Sequence, residues 1–168
     1  MSAGASRPTL FREAQSPEGL EMQMVTWTGQ FAPSAKAEIE KRVKEAEAYF
    51  GVAFPPSFLA IATSYPKAEA EPNGIGLPDG SGTGLGHLLH FEEGTGAEGF
   101  SNIISRIFPV EEVLEKGIIP FAEDVGGDLF CFNYRDDPDH PHVVFWSVDT
   151  GTLRLASSFD DFVAMLRE

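Results

Sequence analysis

The residues of this sequence that could do chemistry are four histidines, one cysteine, a glycine-rich run and several groups of carboxylates. His87, His90, His140 and His142, with Asp136, Asp137 and Asp139 close by, supply the atoms of a metal site. Their spacing does not. His87 and His90 are three apart, which aligns them on a helix, but residues 85–91 read as a strand, where they point to opposite faces. His140 and His142 would share a strand face, yet Pro141 puts them in a turn. No Glu stands between paired histidines as the general base of a zinc hydrolase. Satisfied or solvent-facing histidines are the simpler reading, and neither metal nor another cofactor is expected. Cys131 could be a nucleophile beside one of these imidazoles. It lies inside Leu129-Phe130-Cys131-Phe132, where a buried thiol behaves as a small hydrophobe. A metal- or cysteine-dependent hydrolase is therefore a remote alternative. Gly80-Ser81-Gly82-Thr83-Gly84 has the flexibility of a phosphate cradle but no Lys and no strand ahead of it, so it reads as a loop.

What remains is charge. Of 168 residues, 26 are Asp or Glu and 12 are Lys or Arg, for a formal net charge of −14. Such a surface repels nucleic acid and anionic membranes and attracts a basic partner. The loop acids Glu69, Glu71, Asp79, Glu92, Glu93, Asp136, Asp137 and Asp139 are the candidate partner-binding residues. Carboxylates of this kind can occupy the basic groove of a nuclease as phosphates would. With 42% hydrophobic residues and 14 Phe, the chain escapes the composition of disorder. A domain of this length hides roughly 70% of its unfolded surface. A single cysteine, no charged-then-apolar leader in residues 1–10 and no apolar run of membrane length predict a cytoplasmic protein.

The elements that must display these acids follow from periodicity. Residues 1–33 read as an N-terminal arm or edge strand, with Met22, Met24 and Thr26 alternating, and residues 34–168 as one domain. Ile39, Val43, Ala46 and Phe50 recur at helical spacing after Ser34, a candidate N-cap, and Gly51 stops the helix. A second helix begins at Pro55 or Pro56 and buries Phe58, Leu59 and Ala62. Residues 66–86 are loop or weak hairpins. Strands are expected over 85–91, 100–104, 118–122, 128–134, 143–148 and 153–156, and a short helix over 109–116. Ser158 opens a closing helix that buries Phe159, Phe162, Val163 and Leu166. Between two strands, Gly126, Gly127 and Asp128 form a structural turn motif, the glycines allowing positive φ and Asp128 bonding backbone N–H groups. Short connections make the sheet mostly antiparallel. The class is α+β, a curved sheet packed against N-terminal and C-terminal helices.

Three stretches together resemble the SUKH superfamily, in its Smi/Knr-like branch. They are Phe50-Gly51-Val52-Ala53-Phe54-Pro55, then Ile119-Pro120-Phe121-Ala122-Glu123-Asp124-Val125-Gly126-Gly127-Asp128, and Val143-Val144-Phe145-Trp146 followed by Ser158-Phe159-Asp160-Asp161-Phe162. The resemblance covers roughly residues 36 to 167. It differs in Val125, where a small residue is expected, and in the long glycine-rich stretch 73–86. It implies helices on a curved sheet and a non-catalytic protein-binding role. In bacteria that role is commonly an immunity protein of a polymorphic toxin system, which neutralises a cognate toxin, often a nuclease. Eukaryotic relatives imply the alternative, a regulatory or scaffold module without a toxin partner.

Overall fold

A computed structural model of the chain describes residues 6–12, 22–93 and 102–168. Helix α1 spans Lys36–Phe50; its apolar stripe buries Ile39 and Ala46 and packs Val43 and Phe50 partly against the core. Gly51 ends it at φ +70°, giving its N–H to Glu47 O at 2.8 Å. Only glycine takes that conformation without crowding a Cβ. Ser34 does not cap this helix. Ala35 is the N-cap, without a side-chain bond, and the Ser34 hydroxyl donates instead to Glu92. Helix α2, Pro56–Ser64, starts on proline as its fixed φ favours and buries Phe58, Ile61 and Ala62. Helix α3, Phe159–Ala164, is capped by Ser158, whose Oγ accepts from Asp161 N at 3.1 Å, and it buries Phe159, Phe162 and Val163.

The strands form two sheets. One has the order β1-β2-β3, made of Ser6–Arg12, Met22–Thr28 and Glu69–Glu71, all antiparallel. Met22–Thr28 is thus not an edge strand, since β1 and β3 flank it. Its buried face is Val25 and Trp27, while Met24 is exposed; the phase that alternates with the expected one faces inward. The second sheet runs in chain order from β4 (Gly74–Gly76) and β5 (Gly82–Leu88) through β6 (Ile118–Asp124), β7 (Leu129–Asn133) and β8 (His142–Ser147) to β9 (Gly151–Ala156). Every neighbouring pair is antiparallel, and the sheet curls into a half-barrel. The fold is α+β, mostly sheet, with helices from both ends of the chain packed on it.

The middle strands are buried on both faces, which explains why they lack the apolar-polar alternation of a half-wet strand. On one face Phe121, Phe130, Phe132, Val143 and Phe145 join α2 and α3 in the main core. On the other, Leu129, Cys131 and Val144 form a smaller cluster with Ile107, Leu114 and Ile118. That second face is covered by a short 3-10 segment, Ser105–Ile107, and by turns that run to β6. The helix expected over residues 109–116 is absent: backbone bonds such as Leu114 N to Val110 O, 2.9 Å, close single turns. β-branched Val110 and Val113 and the closing Gly117 give a run of that length too little propensity to propagate. The strand expected over 100–104 is not formed within its described part either. Asn102 makes one parallel bridge to His90, and its Oδ1 accepts the N–H of Ile104 at 2.9 Å, turning the chain.

The β6–β7 turn corrects the expected motif. Gly127 alone takes positive φ, +94°. The side chain that holds the turn is Asp124, not Asp128: its Oδ1 accepts the N–H groups of Gly126 and Asp128 at 2.9 and 2.8 Å, and its Oδ2 accepts from Thr83 Oγ1 at 2.8 Å. Asp124 is buried, so its four acceptor sites are best used from the first position of the turn, where both following N–H groups converge. The Asp128 carboxyl is raised by burial and by the charges of Asp124 and Asp149. Asp124→Ala should therefore cost about 2–3 kcal/mol in urea unfolding, whereas Asp128→Asn should leave stability unchanged or slightly higher at neutral pH. Phe58 is fully buried and touches five other Phe rings; Phe58→Ala should cost about 3–5 kcal/mol by the same measurement.

Candidate interaction surface

Strand β3, the second half of β5 and the β6–β7 turn border an open groove of about 600 Å³. Its carboxylates are Glu69, Glu71, Glu123 and Asp124, joined by His87 and Asn73. Glu69 and Glu71 are exposed because they alternate along β3 with buried Ala70. Neither carboxylate forms a hydrogen bond or ion pair among the described residues. His87 reaches the groove through a bulge in β5 between Leu85 and His87. Gly86 fills that bulge, where a Cβ would approach the carbonyl oxygens of Glu123 and Asp124 to 3.0 Å.

Glu123 is the groove's most constrained acid. Its Oε2 lies 3.6 Å from His87 Nε2 and accepts from Arg106 Nε at 3.1 Å, while Arg106 Nη2 donates to Gly127 O at 3.2 Å. Burial alone would raise its carboxyl, but the bond to His87 and the charge of Arg106 outweigh that and hold it below the ordinary value. Glu123 and Asp124 are thus committed within the molecule, and Glu69 and Glu71 are the groove acids open to a partner.

The remaining candidate acids fall elsewhere. Asp79 is exposed in the β4–β5 turn, where the hydroxyl and N–H of Ser81 bind it and lower its carboxyl. Asp136, Asp137 and Asp139 are exposed in the β7–β8 connection. Asp137 accepts the N–H groups of Asp139 and His140 at 3.0 and 3.2 Å and faces the His140 ring, which lowers it too. Glu93 is exposed, 4.0 Å from Arg42. Glu92 is not a surface acid. It is buried, accepts from the Ser34 N–H at 3.0 Å and its hydroxyl, and lies 3.5 Å from Arg42 Nη1. An acid next to a glycine-rich turn looks solvated in sequence; its partners are 50 residues or more away, beyond any local signal. Sequence reasoning also passed over Glu123 as a groove residue, although a lone Glu closing the apolar run of β6 marks the point where that strand meets solvent.

The histidines do not converge. His90 is fully buried, stacks edge-on with Phe31 at 5.2 Å and accepts the Glu92 N–H at 3.1 Å. His142 opens β8; burial lowers it, Arg154 adds to this and Asp136 opposes it. Among the described residues, no three His, Cys, Asp or Glu side chains are grouped as metal ligands. Cys131 lies fully buried between strands and burial pushes its thiol far above the ordinary value, so it holds no thiolate at physiological pH. Among the described residues, no helix is long and apolar enough to cross a membrane.

An order of elements with two helices on a curled antiparallel sheet, closed by a Ser-capped helix, is thus joined to a hairpin locked by Asp124. The model of the SMI1 / KNR4 family (SUKH-1) matches residues 39–165. The chain belongs to that family. The match begins in α1 and ends just past α3, so it spans most of α1, both other helices and the whole six-stranded sheet of this SMI1 / KNR4 member. No curated protein and no solved structure matches the chain.

The groove's chemistry gives a pH dependence. A carboxyl lowered in the folded state lends stability that is complete above its unfolded value and lost as pH falls through the folded one. Glu123 should therefore destabilise the fold as pH drops below 4.5. In Glu123→Gln, urea midpoints should fall less steeply than in the native chain between pH 4.5 and about pH 3; equal slopes would remove Glu123 from the acid response.

Proposed function

We propose that this SMI1 / KNR4 family member is a non-catalytic binding module that captures a basic protein, and that the partner is a toxin domain which it neutralises as an immunity protein in the cytoplasm. The observation that carries the reading is the open groove with Glu69 and Glu71 exposed at its rim on a chain of net charge −14. Carboxylates on a rigid strand meet a cationic surface without reorganising, and opposite fields speed encounter to as much as ~10⁸–10⁹ M⁻¹s⁻¹ at low salt. A nuclease must present a basic groove to its substrate, so an acidic surface of this kind would both find that groove and block it. The buried thiol of Cys131 and the dispersed histidines support a role in binding rather than in bond cleavage.

Pull-down with the tagged chain, followed by mass spectrometry, tests this. The expected partner is a basic protein retained at about 50 mM salt, whose association slows severalfold at about 500 mM as charges are screened. Glu69→Gln/Glu71→Gln should slow it at low salt and flatten the salt dependence. An acidic partner, or one indifferent to salt, would count against the reading. Protection of cells that express the partner separates immunity from a regulatory role.

A further inference from the structure

A second opening lies against the smaller core cluster. It is a cleft of about 280 Å³ between the end of α1 and the turns that lead into β6. Tyr49 and Phe50 wall it from the helix, Ile107 and Leu114 from the turns, and Ile118 from β6. Ile107, Leu114 and Ile118 belong to the smaller core cluster, so the floor is fixed. Six large apolar side chains are more than half exposed among the described residues. Three of them, Tyr49, Phe108 and Val113, belong to this cleft or its surrounding turns. The rings of Tyr49 and Phe108 meet edge to face at 6.5 Å. Such a concentration of exposed apolar groups marks an interaction site.

Charge at the mouth decides what fits. Glu115 is paired with Arg135. Glu111 and Glu112 are exposed and have no ion-pair partner among the described residues, against a single cation, Lys116. A purely apolar occupant would strip water from Glu111 without replacing it. A small ion would leave the apolar walls and the Tyr49 ring unused. A long side chain with an aliphatic stem and a cationic head satisfies both. We propose that this cleft seats an arginine or lysine side chain of the partner protein, its stem against Ile107, Leu114 and Ile118 and its charge beside the Tyr49 ring and Glu111. The inference rests on the reading that the partner is basic. It adds where that partner is anchored: the acids of the β3 groove steer, and the cleft holds. The volume lies below the usual range for a drug-sized ligand and suits one side chain.

The test uses the full chain and two labelled peptides, hexaarginine and hexacitrulline, which match in shape and differ in charge. Binding is read by fluorescence anisotropy at low salt, and its location by methyl shifts of Ile107, Leu114 and Ile118. Hexaarginine should shift these methyls and bind at least tenfold more tightly than hexacitrulline. Tyr49→Ala should weaken it about threefold, and Tyr49→Ala/Glu111→Gln about tenfold. Both residues are exposed, and unchanged melting will confirm intact folding. If hexaarginine binds without moving the cleft methyls, and Glu69→Gln/Glu71→Gln abolishes that binding, the cleft assignment is wrong and the basic-partner reading stands. If the citrulline peptide binds the cleft equally well, charge plays no part and the assignment is also wrong. If hexaarginine binds nowhere, the basic-partner reading itself falls and the cleft assignment falls with it.

Discussion

Phe121 and Phe132 stack with their rings 4.1 Å apart and 16° from parallel, and Phe58 and Phe159 meet both of them at larger angles. These four rings come from α2, β6, β7 and α3, so one contact set joins both helices to the centre of the sheet. Through Phe54 it reaches the segment after α1, and through Phe162 it reaches Phe130. Offset and edge-on pairs add about 0.5–1.5 kcal/mol each beyond the area they bury. A net charge of −14 works against compaction by self-repulsion. A core this rich in aromatic contacts is what permits so acidic a surface.

The same constraint governs the acids that are not on the surface. Glu92, Glu123 and Asp124 are each buried or half-buried, and each has a cation or a set of N–H and O–H donors within reach. A carboxylate in a low-dielectric site without partners would be neutralised or expelled. The division is therefore physical. Acids with partners knit the N-terminus of α1 to the segment after β5 and the β5–β6–β7 strands to one another, while acids without them, such as Glu69 and Glu71, are left for a partner.

The fold was legible where local pattern and burial coincide. The stripe of α1, the proline start of α2, the Ser158 cap and the runs of β6 to β8 all rest on interactions within a few residues or on apolarity that nothing else explains. Reading failed where a distant group took over. Ser34 has the chemistry of a cap, but Glu92 binds it. Asp128 has the position of a turn lock, but Asp124, at the opening of the same turn, gathers the N–H groups and Thr83 besides. Residues 109–116 have acids where a helix would want them, but their apolar residues cover the far face of the sheet as turns. Of the candidate acids, Glu69 and Glu71 share a groove, while the others are scattered over separate turns or, for Glu92, interred. Spacing along the chain carries no information about which loops meet.

Helix α1 shows how polar contacts set position where apolar ones are few. Of its fifteen residues only Ile39 and Ala46 are buried, too thin a stripe to fix its rotation. Two bonds to residues outside the helix do so. At its middle Arg42 points to buried Glu92; near its end Glu47 accepts the Phe54 N–H at 2.8 Å. The pair Arg42–Glu92 need not add much net stability, because its desolvation offsets its attraction. What it adds is orientation. With both bonds made, Gly51 turns the chain under the helix, Phe50 tucks against the smaller cluster, and Tyr49 is left facing out over the cleft. The exposed ring is thus held in place by buried charge, and the acidity of the chain works inside the fold as well as on its surface.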